Sequence, residues 1–160
     1  MQKIMDMIMS KDAMNVVAKG ENLFKSLPHL PVGVVEFFVK IAPYLALFSA
    51  VLGLIFGPIV GLVGLLSVIT LNPFIMLSIL GGAVLMFVNV AMMLYAYKPL
   101  QNREYKGWLL LFWSEVLTAV TTVLSVLGNG SIASVIWLII GFYVLYEIKP
   151  AYNGKKPAKA

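Results

Sequence analysis

Hydrophobic and polar positions in this chain fall into long blocks. From residue 41 to residue 97 no side chain carries a charge. One helical crossing of a bilayer takes about 20 predominantly apolar residues, so a run of this length predicts two passes in series. The first is expected over residues 43–64, with Pro43 as its first helical position. The second is expected over residues 74–97, entered through Asn72-Pro73, a turn and helix-start signal. Lys98 to Lys106 reads as a short polar loop. A third pass follows over 107–127, Gly128-Asn129-Gly130 predicts a tight hairpin, and a shorter fourth pass covers 131–148.

The pattern ahead of the first pass is different. Over residues 10–27, Ala13, Val16, Val17, Gly20, Leu23, Phe24 and Leu27 fall in one arc of about 120° at helical spacing. Lys11, Asp12, Asn15, Lys19, Asn22, Lys25 and Ser26 take the other side. Ser10 suits the N-cap and Asp12 the first turn. Such a helix lies on a membrane surface or packs on its own membrane domain or a partner. Leu27-Pro28-His29-Leu30-Pro31 ends it, because two prolines cannot continue a helix. His29, the only histidine, is expected to be solvated in this linker. Residues 32–42 are apolar apart from Glu36 and Lys40, an i,i+4 pair in the favourable order, and read as interfacial.

Charge orients these elements. Of the twelve basic residues, five precede the first pass, Lys98, Arg103 and Lys106 lie between passes two and three, and Lys149, Lys155, Lys156 and Lys159 follow pass four. The other two loops are uncharged. Positive charge accumulates on the cytoplasmic side, so both termini are expected there. Tyr95, Tyr97, Tyr105, Trp108, Tyr143, Tyr146 and Tyr152 gather near the same side, as an aromatic belt would. The fold class is therefore all-α: an integral membrane four-helix bundle over residues 32–148. An amphipathic cytoplasmic arm and linker (1–31) precede it, and a basic cytoplasmic tail (149–160), expected to be without regular structure, follows.

Composition narrows the chemistry. The 160 residues are 61% hydrophobic and 12% charged, against about 25% charged in a typical soluble domain. One membrane domain uses nearly all of that length. Cysteine is absent, which excludes disulfides, thiolate metal sites and a cysteine nucleophile. The net charge of +5 sits on residues flanking apolar segments, so anionic lipid headgroups are the expected partner and nucleic acid is not. The first 30 residues lack a continuous apolar core, so pass one is expected to act as an uncleaved anchor.

Two features could carry function. Ser49, Gly53, Gly57 and Gly61 repeat every four residues along pass one. Membrane helices associate by close packing, and such a strip lets a backbone approach, either within the chain or in a homodimer. Pro58 within the strip is expected to kink or break the helix. The second feature is Glu115, near the bilayer midplane, where an ionised acid costs about 2.5–3.5 kcal/mol on insertion scales. It must be protonated, hydrogen-bonded or facing a wet cavity. Thr118, Thr122 and Ser125 continue a polar stripe from it. Asn89 in pass two reaches the same depth and is expected to share a hydrogen bond or a water with Glu115. The constellation serves as structural glue, as a proton, ion or substrate site, or as a partner contact. Glu147 beside Lys149 reads as an interfacial pair.

Other chemistry is not encoded. Met5, Met7 and Met9 could hold a soft metal such as Cu(I), but no cysteine or histidine supports them, so no metal is expected. No phosphate-cradling loop, HExxH, carboxylate cluster or serine elbow occurs, so neither a cofactor nor a catalytic residue is expected.

Pro43-Tyr44-Leu45 opening pass one, Lys106-Gly107-Trp108 opening pass three and the closing Tyr143-Val144-Leu145-Tyr146-Glu147-Ile148-Lys149 carry a resemblance. From Ala42 onward the chain resembles uncharacterised small four-pass integral membrane proteins of bacteria. The resemblance implies a bacterial inner-membrane location and no activity. The functional expectation is a non-enzymatic multi-pass inner-membrane protein, structural or an interaction subunit, with a homo-oligomer or another membrane protein as possible partner. The alternative is a small permease or channel component that uses Glu115 for proton or cation handling.

Overall fold

The computed structural model describes residues 6–67, 73–128 and 132–152. Within them the chain is helical and contains no strand. α1 spans Lys11–Phe24, α2 Val32–Ser67, α3 Pro73–Gln101, α4 Tyr105–Gly128 and α5 Ile132–Ile148, and a 3-10 turn covers Lys149–Tyr152. Met5, Asn72, Asn129-Gly130 and the tail after Tyr152 lie outside the described residues, as does the side chain of Ser125.

α1 begins as its capping residues dictate. The Ser10 backbone is extended and its hydroxyl accepts the Ala13 N–H at 3.3 Å, satisfying one donor of the open first turn. α2 departs from expectation. It is one helix of 36 residues that contains both Pro43 and Pro58. The segment 32–42 is its first three turns and not a separate interfacial piece. The Pro31 carbonyl starts it by accepting the N–H groups of Val34 and Val35 at 2.9 and 3.1 Å. Each internal proline removes one donor, but in apolar surroundings no water can replace the remaining ladder, so the helix continues through both.

α3 also outlasts its predicted end. It passes Lys98 and Pro99 to Gln101. The Glu104 N–H donates to the Pro99 carbonyl at 2.8 Å and the Arg103 N–H to the Leu100 carbonyl at 3.1 Å. This pair of bonds is a Schellman stop, with Arg103 in the left-handed region at φ 53° where glycine is usual. The loop from α3 to α4 is thus three residues, 102–104. A Cβ on Gly107 would lie 2.7 Å from the Leu100 backbone nitrogen, so the two helices meet backbone to backbone where α4 begins.

In space α2 packs on α3, α3 on α4 and α4 on α5, and α2 also touches α5. Among the described residues three helical segments are long and apolar enough to cross a membrane: Val32–Ile59, Gly81–Gln101 and Ala133–Tyr152. α4 is not one of them. It carries Lys106 and Glu115, yet it is the most enclosed helix, with Trp108, Leu109, Leu110, Phe112 and Ser114 all buried. The buried core gathers where α4 begins and α5 ends. Trp108 stacks between Tyr105 and Phe112, with ring centroids 5.5 Å away on each side, and its indole N–H donates to the Leu145 carbonyl at 2.6 Å. Trp108, Tyr146 and Tyr152 are therefore core residues and not members of an interfacial belt, whereas Tyr95 is half exposed. Tyr152, expected in a tail without regular structure, is fully buried and donates to the Val39 carbonyl at 3.3 Å.

Candidate functional site

The glycine strip of α2 is used inside the chain. A Cβ on Gly53 would strike the Val90 side chain of α3, and one on Gly57 would lie 3.1 Å from the Met86 methyl. Two glycines four apart thus receive two large α3 side chains, which is how small residues bring membrane helices together. Gly61 lies beyond this contact with open space beside it. Ser49 is exposed and lines a groove between α2 and α5.

Asn89 and Glu115 are not bonded to each other. The Asn89 Oδ1 accepts the Ser114 hydroxyl at 2.6 Å, and its Nδ2 donates to the Ser114 carbonyl and the Thr118 hydroxyl, each at 3.4 Å. Thr118 in turn donates to the Ser114 carbonyl at 3.0 Å. Asn89, Ser114 and Thr118 form a closed polar node between α3 and α4. Ser114 is 1% exposed, and nothing in the sequence marks it, over the acid beside it, as the partner of Asn89. One residue is a rotation of 100° on a helix, and that turns Glu115 from α3 towards α5. Thr122 is half-buried on the same stripe, outside the node.

The Glu115 carboxyl lies against the Gly141 backbone of α5. Any Cβ at position 141 would collide with Oε1. Among the described residues none donates a hydrogen bond to this carboxyl and no basic side chain pairs with it. Gly141 therefore provides the space that the acid occupies, a role that neither its sequence context nor its spacing revealed.

A second constellation ties the arm and linker to the end of the bundle. Val17 is 1% exposed, and the Tyr146 hydroxyl donates to its carbonyl at 3.1 Å. Phe24 stacks on Tyr146 at 5.2 Å, and the Tyr146 ring leaves no room for a Cβ on Gly20. Glu21 pairs with Lys149, whose ammonium also lies 5.4 Å from the Trp108 ring centroid. Glu147 accepts from the Leu30 N–H at 2.9 Å and lies 2.9 Å from His29 Nδ1. The Tyr143 hydroxyl donates to the Pro28 carbonyl. Glu36 forms a two-bond pair with Arg103 of the α3–α4 loop. The local pairs expected from sequence, Glu36 with Lys40 and Glu147 with Lys149, are replaced by these long-range ones. An exposed i,i+4 pair contributes only about 0.3–0.5 kcal/mol, too little to hold a side chain that a tertiary partner can reach.

The arm also leaves apolar side chains outside. Val16, Leu23 and Leu27 are 47%, 74% and 41% exposed, on the flank beside the buried Ala13 and Val17. Met7 and Met9 of the methionine string are exposed as well. No family model, curated protein or solved structure matches this chain.

Proposed function

We propose that this is a non-enzymatic four-pass protein of a bacterial inner membrane with both termini in the cytoplasm, acting as a structural or interaction subunit. α2, α3, α4 and α5 are the four passes. α4 has the length for this, 24 residues or about 36 Å at 1.5 Å per residue, and runs beside helices apolar enough to span. Ser114, Glu115 and Thr118 face neighbouring helices, which spares them the hydrocarbon. The basic residues then fall on one side. The observation that carries the interaction role is the arm: one flank is clasped to the bundle while the adjacent apolar flank, Val16, Leu23 and Leu27, stays uncovered. A helix lying in the headgroup region beside its own bundle meets protein on one flank and lipid on the next.

The cysteine-free chain makes this testable with one fluorophore at a time. In vesicles containing anionic lipid, a label on Leu23→Cys should be quenched by brominated lipid chains, and a label on Asn22→Cys should not. Equal quenching at the two positions would remove the lipid contact from the account.

A second reading is favoured by one observation, the unpartnered Glu115 carboxyl against Gly141. An intramembrane acid without a partner is a candidate for proton or cation handling. Vesicles reconstituted with the protein would then pass protons or small cations at a rate that Glu115→Gln abolishes. Flux equal to that of empty vesicles would leave the acid without this role.

A further inference from the structure

One helical turn from Glu115, at Leu111, lies a groove. The groove is about 150 Å³ in volume, lies along the seam of α2 and α5, and has Met93 of α3 and Leu111 of α4 at its back. Ala42, Ala46 and Ser49 of α2 face it at one side, with Val144 of α5 opposite. Its walls are apolar apart from Ser49. The small α2 residues explain it: they recur at i, i+4 and i+7 on the face turned towards α5, and no large side chain fills the space between the two helices.

Helical register carries the groove on to the acid. Glu115 is one turn beyond Leu111 on the same face of α4, and Gly141 is one turn from Val144 and Leu145 on the matching face of α5. The two helices run antiparallel, so both steps go deeper, and they meet where the Glu115 carboxyl touches Gly141. Ser49, nine residues past Lys40, and Glu115, nine past Lys106, are at similar depth, so the polar end of the groove lies at the level of the acid.

We infer that this groove and the Glu115 carboxyl form one binding site for a small hydrophobic organic cation, an amine or quaternary ammonium carrying a single ring or a short alkyl chain. The inference rests on the second reading above, in which Glu115 handles charge. The apolar walls take the ring, and the carboxylate takes the positive centre. The dimension matches: an apolar protein cavity of about 150 Å³ holds a benzene-sized molecule. The chemistry matches as well, since a cation brought to the acid supplies the partner that no described side chain provides. A carboxylate in low dielectric gains most from an opposite charge at contact, whereas a neutral ligand of the same shape leaves it unpaired. The groove opens sideways between two helices that read as membrane spans, so a hydrophobic cation reaches it from within the bilayer.

Labelled benzyltrimethylammonium, equilibrated with the purified full-length protein in lipid nanodiscs, is the direct probe. The expected result is saturable binding with one site per chain. Neopentylbenzene, the uncharged isostere, should compete at least 10-fold more weakly. Glu115→Gln should weaken binding at least 10-fold by removing the charge. Ser49→Phe should do the same by filling the groove from an exposed position, with the acid intact. Glu104→Gln, which removes an exposed acid in the α3–α4 loop, should leave it unchanged. Non-saturable uptake, or affinity unchanged in monodisperse Glu115→Gln or Ser49→Phe protein, would overturn the proposal. Proton flux that depends on Glu115 in a protein that fails to bind the ammonium would keep the acid's role and discard this ligand.

Discussion

Arg103 shows how a single residue can carry two opposed contributions. Its backbone sits at φ 53°, the left-handed region that costs a residue with a Cβ roughly 1 kcal/mol. Its side chain makes the two-bond pair with Glu36, about one third exposed at both ends and so well screened. Arg103→Gly relieves the backbone and loses the pair, while Arg103→Ala loses the pair and keeps the strain. The glycine variant should therefore be the more stable of the two, by about 1 kcal/mol in a thermal or denaturant melt in detergent. If the alanine variant were equal or better, the Schellman stop would not be under strain. Residue identity alone could not reveal this, because nothing in Asn102-Arg103-Glu104 marks which position turns left-handed. The same holds at Glu115 and Asn89: counting inward from the flanking lysines puts them at one level, but depth leaves rotation about the helix axis undetermined. That rotation decided that Asn89 meets Ser114 and that Glu115 meets Gly141.

At the scale of elements, the periodic signals held, as did the breaks at residues 28–31 and at Pro73, but prolines within apolar runs did not end helices. α1 was legible in both its cap and its apolar arc, because each depends on residues within one or two turns. The arc of about 120° is wider than one contact needs. Ala13, Val17, Gly20 and Phe24 take the bundle side, and Val16, Leu23 and Leu27 are left over on the flank. That division places the test of lipid contact at Leu23 and not at Val17 or Phe24, where a polar substitution would break the clasp itself. The prolines misled for the opposite reason. Pro43 and Pro58 would end helices in water but lie inside one here, since apolar surroundings offer the freed backbone no better partner, and Pro99 lies in the last turn of α3, which the Schellman bonds close. The α2–α3 contact was legible as a possibility, because glycines four apart permit close approach; which helix would approach was not, and it is Met86 and Val90 of α3 that fill the strip.

Across the whole molecule, the pattern of apolar blocks gave the helical class and, among the described residues, three helical segments long and apolar enough to span. It could not give the clasp, because Glu21–Lys149, Glu147–His29 and Glu36–Arg103 join residues far apart in sequence. These contacts, with Tyr146 and Tyr152 bonded to the carbonyls of Val17 and Val39, draw the N-terminal arm, the α3–α4 loop and the end of α5 to one end of the bundle. A four-pass arrangement requires that end to lie on one side of a membrane and α4 to cross to the other. Single cysteines introduced into the cysteine-free chain at Lys25, Asn102 and Asn129 test this most directly, with a membrane-impermeant maleimide applied to intact and to permeabilised cells. Four passes predict that Asn129→Cys is labelled in intact cells and that Lys25→Cys and Asn102→Cys are labelled only after permeabilisation. Labelling of Asn102→Cys and Asn129→Cys from the same side would show that α4 does not cross and would contradict the account.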